Sequence, residues 1–266
     1  MPRSLWKGTL SFGLVTIPVQ LFAATQDKSP AFNQLRASDH SRIGYQRVAK
    51  ADGTEVAYDE IVKGYEYAKD HYVVFDADEL AGLKPASSRT IEIQQFTPLE
   101  QIDPIYFERA YYLAPEPSGA KAYGLLAGAM ASTDAVAVCK ITLRDKEHLA
   151  TLRLREGVFV LETMHWPDEI REFSLEDVDI DELPEPRPQE VAMAQQLIAS
   201  ITEDFDPTAW RDTYRQRVLD AVTAKVEGEQ IVVSEDAGEP AAVVDLMEAL
   251  KASVEAARNR EKAEAS

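Results

Sequence analysis

The 266-residue chain is short of cysteine, histidine and positive charge. It has one Cys and four His, and 28 Lys and Arg stand against 46 Asp and Glu, a formal charge of −18. A lone Cys139 excludes an intramolecular disulfide and a zinc site built on several thiolates. It lies in an alternating apolar run, which reads as a buried structural thiol. A nucleophile would need nearby cations to lower its pKa, and none is placed for that. His40, His71, His148 and His165 show no HExxH or HxH spacing; His148 and His165 read as polar structural residues. Neither GxxxxGK[ST] nor GxGxxG occurs. No catalytic residue, no metal ligand and no cofactor is therefore expected. No apolar run approaches the ~20 residues that cross a bilayer, so no membrane association is expected. The stretch after Met1–Lys7 is interrupted by Ser11, Gly13, Thr16, Pro18 and Gln20, unlike a secretory signal. A reducing cytoplasm is the expected compartment. The scarcity of cations argues at first against nucleic acid, because phosphates attract Lys and Arg.

What is present is enough apolar material for a core, at 45% of residues. The region to about residue 172 reads as strand-rich. Leu10–Phe22 is β-branched and aromatic, with Gly13 and Pro18 as marks of a bulge or an edge. His71–Phe75, Thr90–Phe96 and Tyr106–Leu113 are further strand candidates. Asp76 and Thr97 each precede a Glu by three positions, the pattern of a capped helix start, and Tyr123–Met130 suits a third helix.

Ala135–Arg155 carries the most telling alternation. Ala137, Cys139, Ile141 and Leu143 form one face of a first strand; Ala150, Leu152 and Leu154 form the matching face of a second. A four-residue turn at Asp145–His148 would pair Arg144 with Leu149, set Thr142 against Thr151 and set Lys140 against Arg153. The hairpin would then have one apolar and one basic face. Opposed like charges are unfavourable, and an anionic ligand would relieve them. The alternative is a solvated polar face with Asp145, Glu147 and Glu156 as counter-charges. A third strand at Val158–Met164 continues the meander past a Glu156-Gly157 turn. Asp168 and Glu169, with Glu92, could be offered as ligands of a metal nuclease. A helix start after Pro167 explains the acidic pair more simply.

From Phe173 to Pro188 the chain becomes an acidic, proline-punctuated connector. Beyond it, Val191, Ala194, Ile198 and Ile201 recur at helical spacing. Asp206-Pro207 then reads as the start of a second helix with Trp210, Tyr214, Val218 and Ala221 on one stripe. Such an arm cannot bury both stripes within itself. Gly228–Pro240 is a polar linker. Val243, Leu246, Met247, Leu250 and Val254 then line one face of a terminal amphipathic helix, which could dock on a partner groove or on the core. Charge is negative in both parts: −10 over residues 1–188 and −8 over residues 189–266.

Leu5-Trp-Lys-Gly-Thr-Leu-Ser-Phe-Gly-Leu-Val-Thr-Ile-Pro-Val19 resembles the opening of bacterial Ku proteins, the homodimeric DNA-end-binding factors of non-homologous end joining. The likeness continues in the family's order through Arg42–Val48, Ser87–Ile93, Ile102–Phe107 with Tyr111–Leu113, Leu152–Arg155 and Met164–Arg171. It extends through Ala192–Ala194, Asp204–Pro207, Tyr214–Arg217 and Val244–Leu250. The resemblance implies a mixed, mainly β fold: a Ku-type β-barrel core with bridging excursions, a C-terminal α-helical arm and a terminal amphipathic helix. It implies three parts. Residues 1–188 form the barrel core, DNA-encircling bridge and connector. Residues 189–227 form an arm packing on the partner subunit, with Trp210, Tyr214 and Val218 on it. Residues 228–266 form a linker and a helix that recruits the ATP-dependent DNA ligase D (LigD) through Val243, Leu246, Met247, Leu250 and Val254.

No catalysis is implied. Two subunits would form a ring threading a double-stranded DNA end, without sequence specificity, in a cytoplasmic, nucleoid-associated setting. Lys140, Arg144, Arg153 and Arg155 become the leading DNA contacts, then Arg42 and Arg47, then Lys7, Arg36 and Arg89. The chain departs from the resemblance in places. A Cys-x-x-Cys pair common in bacterial relatives is replaced by Ala49 and Asp52, so no metal is carried over. Positions often basic are Gln20, Gly44 and Gln46, and no Lys-rich tail precedes Ser266. Weaker, more salt-sensitive retention on DNA is expected than in relatives with such tails. An acidic protein–protein scaffold of the same fold, with little DNA affinity, is the alternative, and a carboxylate nuclease the third reading.

Overall fold

A computed structural model describes residues 3–83, 89–178, 180, 183–228, 250–251 and 253–256. The chain divides into two compact units. One joins Met1–Lys28 to Asn33–Glu172, and the other joins Ser29–Phe32 to Phe173–Ser266.

The first unit is built on a closed barrel. Its strands are β1 (Trp6–Phe12), β2 (Val15–Ala23), β5 (Thr90–Pro98), β6 (Phe107–Pro115), β7 (Ala135–Leu143), β8 (Lys146–Arg155) and β9 (Val158–Met164). The order is β1-β2-β6-β9-β8-β7-β5, and β5 returns to β1. Every pairing in the barrel is antiparallel except that last one. Thr9, Leu10 and Ser11 run parallel to Thr90, Ile91 and Glu92. Closure removes the open edges that would otherwise template aggregation. The period-2 alternation of the sequence explains the interior. Leu10, Ile17, Val19, Leu21, Ile91 and Leu113 point inward and are fully buried, as are Ala137, Cys139, Ala150, Leu152, Phe159 and Leu161. The expected Leu10–Phe22 strand is thus a hairpin. Gly13, at φ +59°, makes a two-residue turn with Leu14 rather than a bulge. Pro18 tolerates its missing N–H because it sits just past the stretch of β2 that pairs with β6. There its carbonyl accepts the Glu116 N–H at 2.9 Å.

One end of the barrel is closed by helix α2 (Ala120–Thr133), which buries Tyr123, Leu126 and Met130. The Tyr123 hydroxyl donates to the Leu113 carbonyl at 2.8 Å and accepts the Phe159 N–H at 2.7 Å. Both β6 and β9 are thereby tied to the helix. Between β2 and β5 runs a long excursion, with β3 (Lys63–Ala68) and β4 (His71–Phe75) paired only to each other, then α1 (Ala77–Leu83). The capping box read from Asp76 and Glu79 is present: each backbone N–H is accepted by the other's carboxylate, at 3.0 and 2.7 Å. The similar pattern at Thr97 gives only a 3-10 turn, Leu99–Gln101. Thr97 belongs to β5, and Pro104, two residues after the turn ends at its Ile102 cap, biases Asp103 away from the helical region.

The second unit holds α3 (Pro188–Ile201) and α4 (Thr213–Glu227). Pro188 opens α3 rather than ending the connector. Asp206 caps only a 3-10 turn, Pro207–Ala209, accepting from Thr208 N at 2.8 Å. Helix α4 begins later, capped by Asp212. Trp210 therefore precedes the helix it was expected to share with Tyr214 and Val218. Among the described residues no helix is long and apolar enough to cross a membrane.

Candidate nucleic-acid interface

The outer face of the β7–β8 hairpin was expected to be either basic or a solvated face with acidic counter-charges, and its register differs from the pairing that expectation assumed. Arg144 and Asp145, at φ +49° and +69°, form a two-residue turn of their own. Leu143 pairs with Lys146, Thr142 with Glu147 and Lys140 with Leu149. The shift is even, so the apolar face survives and the partners on the other face change. Lys140 Nζ meets Glu147 Oε2 at 3.0 Å and lies 5.7 Å from the centre of the Trp166 ring. Arg153 faces Val160 and grips Glu162 with two hydrogen bonds, Nε at 2.9 Å and Nη2 at 2.8 Å. Those bonds hold the guanidinium pKa above its ordinary value; burial opposes them and the Glu162 charge reinforces them. Two of the four leading sequence candidates, Lys140 and Arg153, are thus on one face, separated, and each already carries a carboxylate. Arg155 is exposed, 3.8 Å from Glu156. Arg144 sits at the barrel mouth, lining a cavity with Arg109, Lys146 and His148.

The other candidates lie on or beside the excursion. Arg36 pairs with Asp39 at 3.3 Å, both exposed. Arg42 lies across a β-bridge from Leu35, and the Arg47 guanidinium sits 5.3 Å from the centre of the Tyr58 ring. Asp39 and Asp52 cap tight turns here. Backbone hydrogen bonds, from Ser41 and Thr54 respectively, pull their carboxyls below the usual range. Ala49 and Asp52 therefore occupy a turn closed by backbone and carboxylate hydrogen bonds, with Gly53 N–H donating to Ala49 at 2.8 Å. Lys7 and Arg89 line one depression of about 360 Å³ with Ser4, Leu5 and Trp6. Gly8 makes this approach possible. A Cβ there would stand 2.1 Å from the Arg89 carbonyl and 2.3 Å from the Trp6 indole.

In the arm, Trp210 and Tyr214 are exposed and Val218 is half-buried. Val243, Leu246 and Met247 lie outside the described residues; Leu250 and Val254 are helical and half-buried. Part of the Asp179–Glu182 acidic run, Ser87 and Ser88, and most of the Gly228–Pro240 linker also lie outside them. Among the described residues no three His, Cys, Asp or Glu side chains converge as a metal site would require. Burial pushes the Cys139 thiol up to about 12. Sequence reasoning missed three residues: Glu162, the partner of Arg153, and Arg109 and Lys146 beside Arg144. Lys146 was hidden by the turn misplacement. Glu162 was legible in principle as an outward residue of β9.

A closed barrel interrupted by a long excursion and followed by a helical appendage is a Ku-type architecture. The family model described as "Ku70/Ku80 beta-barrel domain" matches residues 11–193. A "Non-homologous end joining protein Ku" of Frankia casuarinae is 50% identical, over 96% of this chain and 64% of that protein. The chain thus spans just under two thirds of that relative. The proteins of the same name from Heliobacterium modesticaldum and Mycobacterium tuberculosis are 45% and 38% identical. They match 99% and 96% of this chain, and 95% of each relative. The chain belongs to the Ku family.

Proposed function

We propose that the chain acts in non-homologous end joining as a homodimeric ring that threads double-stranded DNA ends without sequence specificity. It would recruit the ATP-dependent DNA ligase D through its terminal segment and catalyse nothing itself, in the cytoplasm at the nucleoid. One observation carries this reading beyond family membership. No described residue from 22 to 90 is buried, and Tyr45, Tyr58, Tyr65, Tyr67 and Tyr72 are all exposed there. A long structured excursion with no buried side chain needs something outside the chain to cover it. A second copy and a duplex together fit that need. The arm fits likewise: Ile198, Ile201, Trp210 and Tyr214 are exposed. In this reading residues 1–188 encircle DNA, residues 189–227 embrace the partner and residues 228–266 reach the ligase. Arg42, Arg47, Lys7 and Arg89 are the contacts most open to phosphate. Arg36, Lys140, Arg153 and Arg155 would have to exchange a carboxylate for it. Contacts of this kind hold the sugar-phosphate backbone, not base edges.

The Lys140–Glu147 and Arg153–Glu162 pairs favour a second reading, a scaffold of the same fold with little DNA affinity. A gel shift with linear and closed-circular duplex of one sequence separates the two. A ring takes the linear form alone, with affinity falling steeply as salt rises. Binding to neither form overturns the ring in favour of the scaffold. Equal binding to both overturns threading.

A further inference from the structure

The barrel has two unlike ends. Where α2 packs, the interior is apolar. At the other end the inward-facing columns change character. On β6 the column runs Leu113, Tyr111, Arg109; on β8 it runs Leu152, Ala150, His148, Lys146. Inward positions of a small barrel are normally filled by apolar side chains. Here they end in cations around an open cavity of about 360 Å³, joined by Arg144 from the β7–β8 turn.

Glu108 is the one carboxylate lining the cavity, 3.6 Å from Arg109, and the buried Thr163 hydroxyl donates to it at 3.2 Å. Among the residues lining the cavity the cations thus outnumber the carboxylates by two, in a chain whose formal charge is −18. Asp145, beside Arg144 in the turn, and Glu147, paired with Lys140, do not line the cavity. The bulge between Phe107 and Arg109 re-aims this stretch of β6, as bulges at barrel rims do. Trp6 and Tyr111 supply aromatic wall.

We propose that this barrel mouth binds a phosphomonoester, with Arg109, Arg144 and Lys146 holding the dianion and Trp6 and Tyr111 flanking the group that bears it. Two guanidiniums and an ammonium suit phosphate through forked and point-charge contacts. The volume is at the small end of ligand pockets, too small for a duplex and adequate for a nucleotide or a strand terminus. The site stands on its own geometry, whether or not the ring reading holds.

Calorimetry on the full chain tests it with three probes: AMP, a short duplex with 5′-phosphates, and the same duplex with 5′-hydroxyls. Sulfate serves as the control anion. AMP binding identifies a free nucleotide. A 5′-phosphate-dependent gain without AMP binding identifies a strand terminus. Either supports the site if Lys146→Ala and Arg144→Gln each weaken it about tenfold while the melting temperature holds. The two variants change different elements, so one misfolding leaves the other to decide. No phosphate-dependent binding at millimolar AMP or with either duplex overturns the proposal. So do unchanged affinity in both variants and equal affinity for sulfate.

Discussion

At the scale of single residues, the fate of Arg153 shows how a cation read as free becomes structural. Its two hydrogen bonds to Glu162 lie with the side chains only 28% and 15% exposed. Removing one partner strands the other where water is scarce. Full burial makes such a loss about 3–5 kcal/mol, and partial exposure brings the expectation for Arg153→Ala down to about 2 kcal/mol. Urea denaturation measures this. Adding Glu162→Gln should restore most of the loss, whereas a purely DNA-contacting arginine would show no loss at all. Cys139 makes a second prediction. Its thiol ionises near 9.0 when unfolded and at about 12 when folded. The folded pKa is the higher, so the contribution to stability is complete below pH 9 and is lost as pH rises from 9 toward 12. Between pH 8 and pH 10 the loss is about 1.4 kcal/mol. Other groups titrate in that range too. The test is therefore the difference in unfolding free energy between the wild type and Cys139→Ala at the two pH values. A slope shared by both proteins would refute it.

At the scale of elements, one phenol on α2 bonds the backbone of two barrel strands, beside the apolar packing of Leu126 and Met130. Tyr123→Phe keeps the ring against Phe159, 4.6 Å between centroids, and removes the hydroxyl shared by two backbone groups. The Leu113 carbonyl and Phe159 N–H would be left buried and short of a partner. A cost of about 1–3 kcal/mol is expected, and faster hydrogen exchange at the Phe159 amide should accompany it. Much of this level was legible. Strand β4, expected between turn residues, and strand β9, expected as the third strand of the meander, fall on the residues the sequence marked, and the box at Asp76 folds as written. The failures have physical reasons. The β7–β8 turn uses Arg144, which carries no turn signal, so a Gly- and Asn-free hairpin was placed two residues late. At Asp206 a cap forms, on Thr208 N, yet only a 3-10 turn follows; at Thr97 no cap bond forms, its hydroxyl reaches Gln101, and Pro104 lies close behind. A cap says where a helix can begin, not that the next turns will follow.

At the scale of the whole molecule, net charge proved a poor guide to local charge. A chain of −18 still gathers Arg109, Arg144 and Lys146 at one rim, because field depends on placement and not on the sum. The family was readable from ordered motifs. The ion pairs that occupy Lys140 and Arg153 were not, since they depend on register and on which strands become neighbours in the closed barrel. The excursion and the arm raise the same issue in another form: their exposed aromatics are a property of one chain taken alone.

The parallel seam has a mechanical meaning. β1 meets β5 over three residue pairs, against seven between β7 and β8. The excursion leaves the barrel after Ala23 and re-enters at Arg89, whose carbonyl holds Thr9 N–H at 2.7 Å. Any tension on the excursion therefore enters the barrel at two anchors of unequal strength. At the first, β2 is flanked by β1 over seven residue pairs and by β6 over five; at the second, β5 is flanked by β1 over three and by β7 over six. Tension on the excursion is therefore expected to open the β1–β5 seam before any joint of the β6–β9–β8–β7 wall.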